Sequence, residues 1–260
     1  MQLVRPKKRL GQHFLKDRNI AAKIALSLTG NGYSSVIEVG PGTGVLTEFL
    51  LARRFDRFVA AEIDHESVEY LKGRFGSGLE LIEGDFLKMD LRGLFGGRFA
   101  IAGNFPYNIS SQIFFKALEH RDKVAEVTGM VQKEVAERIN SGPGSRKYGI
   151  LSVLLQAWFT TEILFSVPPH LFVPPPKVNS AVLRLTRNGV EKLACDEVLF
   201  FRVVKCAFNQ RRKTLRNALG SQFPVEGIDN GLLSMRAEQL PHGEYVQITR
   251  LIKNSLDNGN

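Results

Sequence analysis

The stretch Val36-Ile37-Glu38-Val39-Gly40, running into Pro41-Gly42-Thr43-Gly44, constrains the fold of this chain more than any other part of it. A short apolar run of strand character breaks into glycines and then into a helical pattern. Glycines at such a point let the backbone approach a ligand at the carboxyl end of a strand, where open α/β sheets bind their ligands. The spacing is G-x-G-x-G, at 40, 42 and 44, rather than the G-x-G-x-x-G of dinucleotide sites, and Pro41 removes an amide that could grip phosphate. A ligand without pyrophosphate fits better. Three more strand-like runs follow in order. Phe58–Glu62 ends in a carboxylate 22 residues beyond Gly40 (62 − 40), near the roughly 20-residue offset of a ribose-binding acid. Leu79–Asp85 ends in an acid able to accept from the amino group of a cofactor adenine, and Phe99–Gly103 delivers Asn104. Singly these signals are weak, since a lone Glu62 or Asp85 reads more simply as a loop acid or helix cap. Four strand ends in sequence, each carrying a glycine, acid or amide, point to an α/β fold with one composite site.

The fourth end opens Asn104-Phe105-Pro106-Tyr107. Four such residues can also make an ordinary turn, but they suit a demanding piece of chemistry. An aromatic amine donates its lone pair into its ring, so a site must draw that amine toward tetrahedral geometry before it can attack a methyl group. The Asn104 side-chain oxygen and a backbone carbonyl near Pro106 can each take one amine hydrogen, with Pro106 stiffening the loop. Tyr107 can stack on a base that has left its helix or started single-stranded. These residues point to methyl transfer onto adenine.

Charge suggests the partner. The chain carries a formal charge of +9, distributed in clusters. Arg5, Lys7, Lys8, Arg9 and Lys16 all precede the first acid, Asp17, and form a basic arm. Arg202, Lys205, Arg211, Arg212, Lys213 and Arg216 lie between Val198 and Val225 with no Asp or Glu among them, although residues 190–260 hold ten basic and eight acidic residues, a net of only +2. A helix over 198–219 would bring Arg202, Lys205, Arg212 and Arg216 near one face, able to lie along an RNA backbone. The loop Ser141–Tyr148 reads as mobile and basic, either an aid to RNA positioning or a plain surface loop. Alternating strand and helix patterns run from Val36 to Arg187, and helix-period positions follow Asn188-Gly189, so the expected domains are 1–189 and a small helical domain, 190–260. Cys195 and Cys206 lack metal-ligand spacing, so no metal site is expected. No apolar run is long enough to span a bilayer, and no secretory signal is visible, which suggests a cytoplasmic protein with no membrane partner. A monomer is the simplest expectation.

Taken together, Lys8-Arg9-Leu10-Gly11-Gln12-His13-Phe14-Leu15, Glu38–Gly44, Gly84-Asp85, Asn104-Phe105-Pro106-Tyr107-Asn108-Ile109-Ser110, Gln132–Val135, Pro174–Val182 and Phe208–Thr214 resemble the ribosomal RNA adenine N6-dimethyltransferases, over nearly the whole chain. The resemblance implies a Rossmann-like class I S-adenosylmethionine-dependent methyltransferase fold with a small C-terminal helical domain. It further implies that His13, Leu15, Gly40, Gly42, Glu62, Asp85 and Asn104 hold S-adenosylmethionine, and that Asn104, Pro106 and Tyr107 act on the target amine. Phe172 resembles the aromatic on the other face of the flipped base in related adenine methylases; a core phenylalanine is the competing reading. Many members carry Asn at position 13 and Leu at 105, where this chain has His and Phe. The implied substrate is two adjacent adenosines near the 3′ end of small-subunit (16S) ribosomal RNA, on an assembling 30S subunit. Two other readings stay open: a large-subunit RNA methylase of the antibiotic-resistance type, and a non-catalytic ribosome assembly factor.

Overall fold

The computed structural model describes residues 4–258. The strands are β1 (Phe14–Leu15), β2 (Ser35–Val39), β3 (Arg57–Glu62), β4 (Glu80–Glu83), β5 (Phe99–Asn104), β6 (Val124–Gln132), β7 (Phe159–Val167), β8 (Phe172–Val173) and β9 (Ser180–Arg187). The helices are α1 (Arg18–Ser27), α2 (Val45–Ala52), α3 (His65–Phe75), α4 (Leu91–Leu94), α5 (Ser110–Glu119), α6 (Lys133–Ile139), α7 (Ile150–Gln156), α8 (Glu197–Asn209), α9 (Leu215–Leu219), α10 (Asn230–Ser234) and α11 (His242–Asn258). The chain divides into two units, residues 1–136 with 161–187, and residues 137–160 with 188–260.

The first unit is built on a mixed seven-stranded sheet of order β4-β3-β2-β5-β6-β9-β7. Strands β4, β3, β2, β5 and β6 run parallel, and β9 pairs antiparallel with β6, Val127 opposite Leu185 and Gly129 opposite Leu183. Parallel strands covered on both faces should be apolar throughout. Accordingly Val36, Ile37, Val59, Ala60, Ala100, Ile101, Val127 and Val131 are fully buried. The order of strands reverses between β2 and β5, and at such a switch point the helices diverge and leave a crevice at the carboxyl ends. Each of the four strand ends read from the sequence, at Gly40, Glu62, Asp85 and Asn104, opens onto that crevice. A separate two-stranded ladder joins β1 to β8 antiparallel, with Phe14 opposite Val173 and Leu15 opposite Phe172.

The second unit is helical apart from the start of β7. Its apolar centre contains Tyr148, Trp158, Phe200, Phe208 and Tyr245. The Trp158 ring lies 5.8 Å from Phe201, stacked, and 5.9 Å from Phe200, edge-on. These contacts place residues 137–160 with the C-terminal helices, whereas the alternating sequence pattern groups them with the sheet. The uninterrupted helix expected over 198–219 is replaced by α8 and α9. Thr214 forms an isolated antiparallel bridge with Arg236, and the Leu215 N–H donates to the Met235 carbonyl at 2.8 Å, so the chain turns at 210–213 and crosses the 235–236 segment instead of continuing as helix. Arg202, Lys205, Arg212 and Arg216 therefore do not share one helical face. Nor is Ser141–Tyr148 a loose loop: Gly144 N–H donates to the Glu238 carbonyl at 2.7 Å, and Tyr148 is fully buried.

Candidate active site

Asn104 ends β5, and its Nδ2 donates to the His13 carbonyl at 2.9 Å. That bond fixes the amide and leaves Oδ1 as an acceptor. The next residue anchors the loop from below. Phe105 N–H donates to the Met130 carbonyl at 3.0 Å, and its ring, 1% exposed, meets Phe114 edge-on at 6.0 Å. The ring occupies the space left by two strand glycines. A Cβ built on Gly129 would lie 2.2 Å from Phe105 Cε2, and one on Gly103 would lie 3.0 Å from its Cδ1. The turn closes with Ile109 N–H donating to the Pro106 carbonyl at 3.2 Å and Ser110 Oγ donating to the Tyr107 carbonyl at 3.2 Å. Tyr107 lies half-buried, its hydroxyl 2.5 Å from Ser180 Oγ on β9. Burial raises its phenol above the ordinary tyrosine pKa, so the ring is neutral at physiological pH. The His13 ring sits 5.2 Å from the Tyr107 ring and donates from Nδ1 to the Pro174 carbonyl at 2.8 Å.

These residues border a cleft, open to solvent, lined by residues 10–14, Val39, Gly40, Gly42, 61–63, 84–87 and 104–109. Glu62, 3% exposed, accepts Gly42 N–H at 3.0 Å on Oε2 and the N–H groups of Ile63 and Asp64 at 3.0 and 2.9 Å on Oε1. Burial raises its pKa; those three donors oppose the rise. Its carboxylate is thus rigidly aimed, with lone pairs remaining for a diol. Gly42 adopts φ +58°, and a Cβ there would lie 2.8 Å from the Phe14 ring. Only bare backbone fits beneath that ring. Asp85 lines the cleft while its Oδ1 accepts Leu87 N–H at 3.0 Å, so one residue both caps the turn and faces the cavity. Half-exposed Ile63 supplies an apolar wall. A smaller pocket beside Gly40 and Asn104 is lined by Glu38, whose Oε2 is buried without a hydrogen-bond partner among the described residues. Burial, with Glu62 nearby, pushes the Glu38 pKa up to about 8.

The structure brings His13, Gly40, Gly42, Glu62, Asp85, Asn104, Pro106 and Tyr107 together around the cleft. The Leu15 side chain is 5% exposed, belongs to the core and borders only the smaller pocket. The base-flanking role of Phe172 is corrected. Its ring is 1% exposed in that same core, because β8 pairs with β1 and turns Phe172 inward beside Leu15. Sequence reasoning missed Phe14, Ile63 and Leu87 as lining residues; the signal for the loop support was Gly129 inside a strand-like run.

The basic residues divide. Arg5, Lys8 and Arg9 are exposed, but Lys7 is ion-paired with Asp64 and lies 3.4 Å from Glu66. In the second unit Lys205, Arg212 and Lys213 are exposed. Arg202 stacks over Phe223 at 5.5 Å, and Arg216 donates to Asn230 Oδ1 at 2.6 Å. Arg211 turns back on its own unit, donating to the carbonyls of Ser145 and Arg146 at 3.3 and 2.7 Å and lying 3.5 Å from Glu238. Among the described residues no cluster of His, Cys, Asp and Glu could hold a metal ion, and no helix is long and apolar enough to cross a membrane.

The family model described as ribosomal RNA adenine dimethylase matches residues 4–254. The chain belongs to the ribosomal RNA adenine dimethylase family. Among curated relatives, the ribosomal RNA small subunit methyltransferase A of Bacteroides thetaiotaomicron is 54% identical, covering 98% of this chain and 97% of its own. Its counterpart in Cytophaga hutchinsonii is 52% identical over 97% of this chain and 99% of its own. In three dimensions the chain resembles a dimethyladenosine transferase from Plasmodium falciparum, with TM-score 0.78 and 24% identity over 95% of this chain and 98% of that one. It also resembles the 23S rRNA methyltransferase ErmE, with TM-score 0.72 and 24% identity over 92% and 99%. At these identities the two structures establish a shared class I methyltransferase fold for this family member. The 104–107 loop of this family member presents an amide oxygen, a backbone carbonyl and an aromatic ring beside the cleft.

Proposed function

We propose that this family member uses S-adenosylmethionine to dimethylate N6 of two adjacent adenosines near the 3′ end of small-subunit ribosomal RNA, acting as a cytoplasmic monomer on an assembling small-subunit particle. Asn104 carries the reading: its amide is pinned through Nδ2, so Oδ1 stands ready to accept from an amine. The substrate class is supported by relatives above 50% identity, matched end to end and named for the small subunit.

The cleft suits the cofactor. Glu62 would take the ribose hydroxyls, Asp85 the adenine amine, the Gly40–Gly42 backbone and His13 the remaining polar groups, and Phe14 and Ile63 the apolar faces. S-adenosylmethionine supplies a methyl group on a sulfonium, an excellent leaving group. The protein's own contribution is alignment and exclusion of water. Asn104 Oδ1 accepts one amine hydrogen; the Pro106 carbonyl, already holding Ile109 N–H, keeps a second lone pair for another. Tyr107, anchored on Ser180, gives the base a stacking face. No general base is required, because the amine proton becomes acidic only after nitrogen gains the methyl. In the second transfer one hydrogen remains, and Oδ1 alone can orient the lone pair.

A large-subunit target is disfavoured by Phe208-Asn209-Gln210-Arg211-Arg212-Lys213-Thr214, which resembles the small-subunit group. A purely structural assembly role is disfavoured by the pinned Asn104 and Glu62. Asn104→Ala tests the assignment: methyl transfer at saturating cofactor should fall by about 10²–10³-fold, as for loss of one preorganised group, while binding of the particle persists. Unchanged turnover would remove Asn104 from the chemistry.

A further inference from the structure

Lys7 stands apart from the other cations of the basic arm. Its ammonium pairs with Asp64 Oδ1, and Glu66 Oε1 lies 3.4 Å away. Asp64 has a side chain only 2% exposed and accepts from Ser67 Oγ at 3.1 Å. Burial works against its ionisation, yet the Lys7 ammonium and the Ser67 hydroxyl outweigh that effect and hold its carboxyl below the usual aspartate range. The Asp64 N–H donates to Glu62 Oε1 at 2.9 Å, so the ion pair ends one residue contact from the acid assigned to the ribose. On the other side, the Lys7 N–H donates to Gln12 Oε1 at 2.8 Å. That bond closes the segment into a loop whose next residues, Leu10 to Phe14, form one wall of the cleft, and whose His13 carbonyl receives Asn104. Lys7 is therefore already neutralised by two acids and poorly placed to neutralise a phosphate, whereas Arg5, Lys8 and Arg9 remain exposed on the same arm.

We propose that Lys7 is a positioning residue that latches the arm onto Asp64 and so holds residues 10–14 as the closed wall of the cofactor cleft. The inference rests on the cofactor reading above. The arm's cations then divide by role, with Lys7 facing inward to set cofactor affinity and Arg5, Lys8 and Arg9 facing outward. Breaking the latch should leave the sheet intact and weaken only what the arm wall holds.

Isothermal titration with S-adenosylhomocysteine tests both layers without turnover. Wild-type protein should bind the probe; failure to bind would remove the premise together with the latch. Lys7→Met should raise Kd about tenfold, because the arm wall loses its tie to Asp64. Lys7→Arg should restore Kd to within about threefold, and Lys7→Met/Asp64→Asn should bind about as well as the weaker single variant, as coupled partners do. Kinetics should show KM for S-adenosylmethionine rising by more than kcat at saturation falls, since the same wall also carries the His13 carbonyl that holds Asn104. Trypsin should cut at Lys8 or Arg9 faster in Lys7→Met, and the probe should slow cutting in the wild type. An unchanged Kd in Lys7→Met, or a fall in melting temperature with Kd and arm cleavage unaltered, overturns the proposal.

Discussion

Replacing Gly129 by alanine should disable the 104–107 loop from a position outside the cleft lining. The added methyl would stand 2.2 Å from Phe105 Cε2 and 2.4 Å from its Cζ, where ordinary contact begins at 3.4 Å, a shortfall of 1.2 Å (3.4 − 2.2). Phe105 cannot swing clear, since its ring is 1% exposed, lies against Gly103 and meets Phe114. The strain passes to the backbone between Asn104 and Pro106. Overpacking of this kind costs about 1–3 kcal/mol, which lowers the melting temperature by roughly 2–4 °C per kcal/mol in a chain of this size. A shift near 1 Å at a reacting group lowers turnover by about 10²-fold. Single-turnover methyl transfer and thermal unfolding read both quantities. Leucine at 105 lacks the ring atoms that the added methyl would strike, so Gly129→Ala/Phe105→Leu should recover most of the lost rate. Normal turnover and stability in Gly129→Ala, or no recovery in the double variant, would refute this account of loop support.

Three further outcomes follow from named groups. Glu38 has a folded-state pKa of about 8 against an ordinary value of 4.5; below the ordinary value both states are protonated and nothing is lost, and between the two the unfolded chain alone ionises. Stability should then fall by up to roughly 1.4 kcal/mol per pH unit as pH rises toward 8, and Glu38→Gln should flatten that slope in denaturant titrations at stepped pH. Arg211→Met should accelerate proteolysis within 141–148 and lower the melting temperature while leaving the salt dependence of RNA binding unaltered, because the guanidinium holds the Ser145 and Arg146 carbonyls. Arg212→Gln and Lys213→Gln should do the reverse, each reducing the slope of log Kd against log salt by up to about 0.9 with no loss of stability.

The α/β architecture and most of the cleft were legible because they depend on local chemistry. Strand runs ending at Gly40, Glu62, Asp85 and Asn104 declare themselves in the order they occupy in the chain, and all four ends meet at the cleft. Three features were not legible, each for want of a long-range partner. Phe172 resembles a base-stacking aromatic until its pairing with Leu15 turns it into the core. The helical pattern over 198–219 gives no sign of the crossing at Met235 and Arg236 that breaks it. Arg211 and Lys7 count as free cations in a charge tally, and only the positions of Glu238 and Asp64 show them to be held internally.

Substrate and reaction are tested together by supplying the protein and S-adenosylmethionine separately with small-subunit particles and large-subunit RNA, each lacking adenine methylation, and quantifying methylated nucleosides by mass spectrometry. N6,N6-dimethyladenosine on the small-subunit particle alone, in two adjacent residues of a 3′-terminal fragment, is the expected result. Product confined to large-subunit RNA, or no product on either despite particle binding, would overturn the proposed function.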